Sequence, residues 1–133
     1  MITVAAAVIE RDGRVLICRR RADQDYDGKW EFPGGKLEDG ELPAEALLRE
    51  LREELSIEAR IDSEIERYHY EYPGRKPMEL IFFAVTSFDG EPCYEQFAEV
   101  RWAQRSDLPA FDFLDGDVDF VRRLASRAVK APQ

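Results

Sequence analysis

The sequence predicts an α/β domain of the α+β or layered kind, with a mixed β-sheet and helices packed on it. Three observations carry that expectation. Runs rich in β-branched and aromatic residues recur between Asp-Gly and Pro-Gly turns. One segment, Pro43–Leu55, has apolar residues at helical spacing. The length of 133 residues suits one domain, placed at residues 1–130 with 131–133 as a loose tail.

In chain order, Ile2–Ile9 reads as a buried strand, Asp12-Gly13 as a hairpin turn and Val15–Cys18 as the returning strand. The polar stretch Ala22–Lys29 reads as a loop, and Trp30-Glu31-Phe32 as a short extended piece before Pro33-Gly34-Gly35. Pro43 suits the first position of a helix. Ala44, Leu47, Leu48, Leu51 and Leu55 line up on one face of it. Leu42 is a poor N-cap, partly offset by Glu45 near the positive end of the dipole. Ile57–Tyr70 and Met78–Phe88 read as strands joined through Tyr72-Pro73-Gly74, and Glu99–Trp102 as a further strand. Phe113–Val129 reads as a terminal amphipathic helix with Phe113, Val118, Val121, Leu124, Ala125 and Ala128 inward. The order is β-β-α-β-β-β-α.

Apolar residues are 44% of the chain, too many for a disordered protein. The net charge of −9 argues against coating a nucleic-acid polymer, where a basic face supplies most affinity. It leaves room for a small phosphorylated substrate if something cationic neutralises the site. No apolar run approaches the length of a membrane span, and the N-terminus lacks a signal-peptide pattern. Cys18 and Cys93 form neither a disulfide framework nor a metal motif, so a reducing cytoplasm is expected.

Glu50, Glu53 and Glu54 stand at i, i+3 and i+4, sharing one arc of the helix. Like charges at this spacing repel, and the helix C-terminal half disfavours them further. A bland solvated acidic face is the usual meaning of such a cluster. Here a glycine turn precedes the helix, and Arg19, Arg20, Arg21 and Lys36 lie at a strand end and in that turn. Carboxylates without His or Cys select Mg²⁺ or Mn²⁺, ions that share their shell with water and phosphate. The residues alone therefore reach metal-assisted phosphoryl chemistry.

Gly35-Lys36-Leu37-Glu38-Asp39-Gly40-Glu41, then seven residues, then Arg49-Glu50-Leu51-Arg52-Glu53-Glu54-Leu55-Ser56-Ile57 resembles the Nudix box, G-x5-E-x7-R-E-U-x-E-E-x-G-U with U aliphatic. Ser56 stands in place of the final Gly. Trp30–Lys36 resembles the MutT-like branch in particular. The resemblance implies a Nudix α/β/α sandwich over nearly the whole chain. It implies Mg²⁺ held by Glu50, Glu53, Glu54 and the Gly34 carbonyl, with Mn²⁺ as a substitute. Glu50 is the first choice for activating water. Arg49 would orient the glutamates, and Gly35 and Glu41 would shape and brace the loop. Glu95, with Glu99 as rival, would add a metal ligand. Arg20 and Lys36 would hold phosphates, and Phe32 and Asp117 would meet the base, Asp117 as an ionised acceptor.

The implied activity is pyrophosphohydrolysis of a nucleoside triphosphate, oxidised or otherwise modified bases included, to monophosphate and pyrophosphate. The alternatives are hydrolysis of a sugar nucleotide or dinucleotide, and a non-catalytic nucleotide-binding module. His69, Trp30 and Trp102 read as structural, Cys18 and Cys93 as small buried or half-buried side chains, and Asp115 and Asp119 as solvated helix-start charges.

Overall fold

The computed structural model describes residues 1–129, with side chains to 127. The Ala128 side chain, the domain end expected at residue 130 and the tail at 131–133 lie outside the described residues. Seven strands form one mixed sheet: β1 (Ile2–Arg11), β2 (Arg14–Arg19), β3 (Trp30–Glu31), β4 (Gly34–Lys36), β5 (Glu58–Tyr70), β6 (Met78–Asp89) and β7 (Glu99–Gln104). The main order is β3-β2-β1-β6-β5, with β4 added to β1 and β7 to β2. The β1–β6 pairing is parallel, Ala5 opposite Ile81, and the others are antiparallel.

Alternation along the central strands sends their side chains into two cores. Ala5, Ala7, Ile9, Leu16, Cys18, Ile81, Phe83 and Val85 face α1 (Pro43–Leu55), where Leu47, Leu51 and Leu55 are fully buried. Each such leucine contributes roughly 1.5–3 kcal/mol by leaving water. Val8, Val15, Ile17, Leu80 and Phe82 face the other way, against Phe120, Val121 and Leu124 of α2 (Val118–Val129). Helices thus cover both sheet faces, which is the expected α/β/α sandwich.

Two segments depart from the sequence reading. Gly34–Lys36 is a strand, paired to Val4–Ala6 of β1. The terminal helix begins at Val118, not Phe113. Phe113 is buried in the α2-side core, but its backbone bridges Trp30, whose N–H and carbonyl bond Asp112 O at 2.8 Å and Leu114 N at 2.9 Å. Those bonds hold the segment extended, and Asp115–Asp117 closes it as a 3-10 turn. Another 3-10 turn, Arg105–Ala110, follows β7. Asp115 is exposed ahead of α2 and Asp119 is exposed in its first turn, both as expected.

Candidate active site

The glutamate helix is set by its ends. Pro43 occupies the first turn, and the Glu45 carboxylate accepts the Leu42 N–H at 2.9 Å, supplying the cap that Leu42 lacks. Ser56 ends the helix in the left-handed conformation, φ 59° and ψ 35°. The glycine at that place in the box avoids a steric cost that a serine pays.

Arg49 gathers the motif. Its guanidinium donates to both Glu41 oxygens at 2.7 and 3.0 Å, to Glu50 at 2.9 Å, to Glu53 at 3.0 Å and to the Lys36 carbonyl at 3.2 Å. Glu41 in turn accepts the Glu38 N–H at 2.8 Å, and Arg49 holds its carboxyl below the usual range. One cation therefore ties loop, strand β4 and helix together.

The glycines permit close approach of the loop. Gly34 has φ 150°, and a Cβ there would stand 2.1 Å from the Ala5 carbonyl oxygen. Its N–H donates to Glu54 Oε1 at 3.1 Å. A Cβ on Gly35 would stand 2.5 Å from Glu50 Cδ, so the Glu50 carboxylate lies flat against that glycine.

Burial, then the neighbouring Glu50 and Glu31, pushes the Glu54 carboxyl up to about 8. Burial also raises Glu50, against the lowering pull of Arg49. Glu53 is the exposed member, and its carbonyl accepts the Gln96 amide at 2.9 Å. Among the described residues no three His, Cys, Asp or Glu groups close into a ready cage. The carboxylates form an open acidic wall instead. Desolvated, mutually repelling carboxylates with no soft ligand suit a hard divalent ion that completes its shell elsewhere.

The wall opens on a cleft of about 520 Å³. Glu54, Gly34, Gly35 and Lys36 line it at the motif, and Phe32, Leu114 and Asp117 line it from the sheet and the 3-10 turn. Phe32 is buried, stacked on Phe113 at 5.2 Å between centroids. Arg20 also faces the cleft, but its guanidinium is engaged by Glu31 at 2.9 Å and the Asp25 carbonyl at 2.7 Å. Glu31 also lines the cleft, and its negative charge raises both the Glu54 and the Asp117 carboxyls.

Asp117 is only 8% exposed, and burial, then Glu31, pushes its carboxyl up to about 8. It is therefore a neutral acid near pH 7, not the ionised acceptor the sequence suggested. The two candidates for an extra metal ligand lie outside the cleft lining. Glu99 is paired with Arg19 and Arg101, whereas the Glu95 carboxylate makes no ion pair among the described residues. Glu95 adjoins Gln96, which touches the end of α1.

Sequence reasoning missed Glu31, Tyr26, Tyr72, Arg75 and Lys76, all of them at the cleft. Arg75 pairs with Asp25 at 3.2 Å and lies over the Tyr26 ring at 5.6 Å. The alternation of Tyr68, Tyr70 and Tyr72 was the available signal; the charges of Arg75 and Lys76 were indistinguishable from those of any polar turn. Away from the cleft, His69 is exposed near Glu79, Cys18 is buried and Cys93 half-buried. Trp30 is buried in the core, and Trp102 is half-buried beneath the Arg11 guanidinium.

A two-faced sandwich with a carboxylate helix beside the cleft suits metal-assisted chemistry on a phosphorylated ligand. The NUDIX domain family matches residues 1–124, and the chain belongs to the Nudix family, as a hydrolase of phosphoric anhydride bonds. It is 36% identical over 131 residues to the CTP pyrophosphohydrolase of Escherichia coli, covering 98% of this chain and 96% of that one. It is 36% identical over 125 residues to the 8-oxo-dGTP diphosphatase of Haemophilus influenzae, covering 93% and 91%. The solution structure of the E. coli ORF135 protein superposes with a TM-score of 0.84 at 36% identity, covering 98% and 91%. Nudix hydrolases generally use divalent metal ions. Among the described residues no helix is long and apolar enough to cross a membrane.

Proposed function

We propose that the protein is a Mg²⁺-dependent nucleoside triphosphate pyrophosphohydrolase that releases nucleoside monophosphate and pyrophosphate, with a cytosine nucleotide as its preferred substrate. The buried Asp117 carboxyl, which lines the cleft with Phe32 and Leu114, carries the reading of the base edge. A neutral carboxyl donates through its hydroxyl and accepts through its carbonyl. Cytosine offers the complementary pair, the N3 acceptor beside the N4 amine; adenine offers the same pair at N1 and N6. The guanine N1–H and N2 amine are two donors and call for an ionised acid. The choice of cytosine over adenine rests on the likeness to a CTP pyrophosphohydrolase.

Glu50, Glu53, Glu54 and the Gly34 carbonyl would hold the ion, with Glu95 from the loop before β7, and Mn²⁺ would substitute. Bound there, it neutralises phosphate oxygens and lowers the pKa of a water. Glu50 takes the proton of the attacking water, held in place by Arg49 and by Gly35 beneath it. Lys36 and Arg20 hold the phosphate chain, Arg20 sharing its charge with Glu31. Phe32 forms the apolar floor under the base.

A hydrolysis panel of normal, oxidised and methylated (d)NTPs with Mg²⁺, resolving pyrophosphate from single phosphate, tests the proposal. CTP or dCTP is expected to lead, with pyrophosphate as product. Release of single phosphates, or no turnover of any triphosphate, overturns it. Glu53→Gln and Glu54→Gln are each expected to fold and to lose at least about 100-fold in kcat. Rates within a few-fold of the parent chain would remove those roles.

A further inference from the structure

β5 runs out into a stripe of tyrosines. Tyr68, Tyr70 and Tyr72 fall at alternate positions, so extended backbone turns all three rings to one face, whereas Arg67, His69 and Glu71 are exposed. Two of the phenols converge on one glycine. The Tyr68 hydroxyl donates to the Gly116 carbonyl, and the Phe120 N–H also lies against that phenol oxygen. The Gly116 N–H donates to the Tyr72 hydroxyl oxygen at 2.8 Å. The peptide units on both sides of Gly116 are thus each held by a phenol.

The approach requires glycine. A Cβ on Gly116 would stand 2.8 Å from the Tyr72 hydroxyl, 3.2 Å from Tyr70 Cδ2 and 3.3 Å from Leu80 Cδ1. Asp117 follows directly, and its N–H donates to the Leu114 carbonyl at 2.9 Å. Among the described residues no group hydrogen-bonds the Asp117 carboxyl, which is left to the cleft. Its backbone is fixed from three directions while its side chain stays available.

We infer that Tyr68 and Tyr72 are positioning residues that, by clamping the peptide units around Gly116, set where the Asp117 carboxyl stands in the cleft and so which base edge is accepted. This rests on the reading of Asp117 as the group that meets the base. Hydrogen-bond strength falls steeply with misalignment, so a small shift of that turn weakens the intended base pairing more than it weakens grip on the phosphates. The rings themselves are anchored independently of the hydroxyls. Tyr68 stacks on Phe82 at 5.8 Å with the Arg123 guanidinium 5.4 Å from its ring, and Tyr72 sits between Tyr70 at 4.8 Å and Tyr26 at 5.1 Å. Phenylalanine keeps that packing and removes the clamp alone.

The test compares Tyr68→Phe, Tyr72→Phe, Asp117→Ala and Tyr72→Phe/Asp117→Ala with the parent chain. Steady-state kinetics on CTP and GTP with Mg²⁺ are read beside calorimetric affinities for nonhydrolysable analogues of both, so that selectivity is defined even without turnover. Each tyrosine variant is expected to lower the CTP-to-GTP selectivity about tenfold, the factor expected from one lost buried hydrogen bond. The loss should appear in KM for CTP, with kcat within about twofold. Tyr72→Phe should add nothing in the Asp117→Ala background, where there is no carboxyl left to position. Equal losses on both nucleotides that follow a fall in Tm mark a structural role only and overturn the inference. If Asp117→Ala changes selectivity and the tyrosine variants do not, the clamp alone fails. If Asp117→Ala leaves selectivity untouched, the reading of Asp117 fails and the clamp with it.

Discussion

At Asp117 a single proton bears on stability and, under the proposed function, on the choice of base. The unfolded carboxyl titrates near its ordinary 3.8, while the folded one keeps its proton to about 8. Between those values the native chain binds more protons than the unfolded chain, so stability declines as pH rises from about 4 to about 8. Glu31 faces the group from β3 and reinforces the retention, and the phenols of Tyr68 and Tyr72 stay uncharged throughout, burial having pushed both upward. Melts in EDTA should show Tm falling across that window, less steeply in Asp117→Asn; parallel curves would contradict the assignment. In turnover assays the preference for CTP over GTP should shrink as pH passes about 8 and the acid ionises. The position of Asp117 was legible in the sequence because of the family resemblance. Its protonation state was not, since burial is a property of the packed chain.

Among the elements, α1 was the most legible, because helical spacing of leucines and the spacing of the box agree on one register. β4 was invisible: Gly34-Gly35-Lys36 has no strand propensity, and β1 imposes the conformation through pairing. The segment from Phe113 was misread because its apolar residues continue the period of α2. The peptide groups of Trp30 claim the backbone there first. At the other end of α1, Ser56 carries the left-handed strain described above. Ser56→Gly is expected to raise stability by about 1 kcal/mol in chemical denaturation, with kcat unchanged, because no atom at the site moves. A destabilised Ser56→Gly would show that the serine hydroxyl compensates in place.

For the molecule as a whole, the net charge of −9 and the buried acids at the cleft make an ion-free protein that works against its own charge. Mg²⁺ that binds the folded chain alone stabilises it by about 1.4 kcal/mol at tenfold excess over Kd. Tm should therefore rise with Mg²⁺ in the parent chain and hold still in a Glu50→Gln/Glu54→Gln double variant. An equal rise in both would place the ion elsewhere. The motif side of the cleft was readable because its residues are close in sequence. The opposite side was not, since it joins the 20s, the 70s and the 110s only in three dimensions. The Trp30–Phe113 bridge shows how late that joining comes. A ribosome that has released the glutamate helix still holds the stretch that Trp30 must bind. Asp117, proposed to meet the base, is thus the last of the cleft to leave the ribosome, and a premature stop near residue 110 removes it together with α2 and its share of the core.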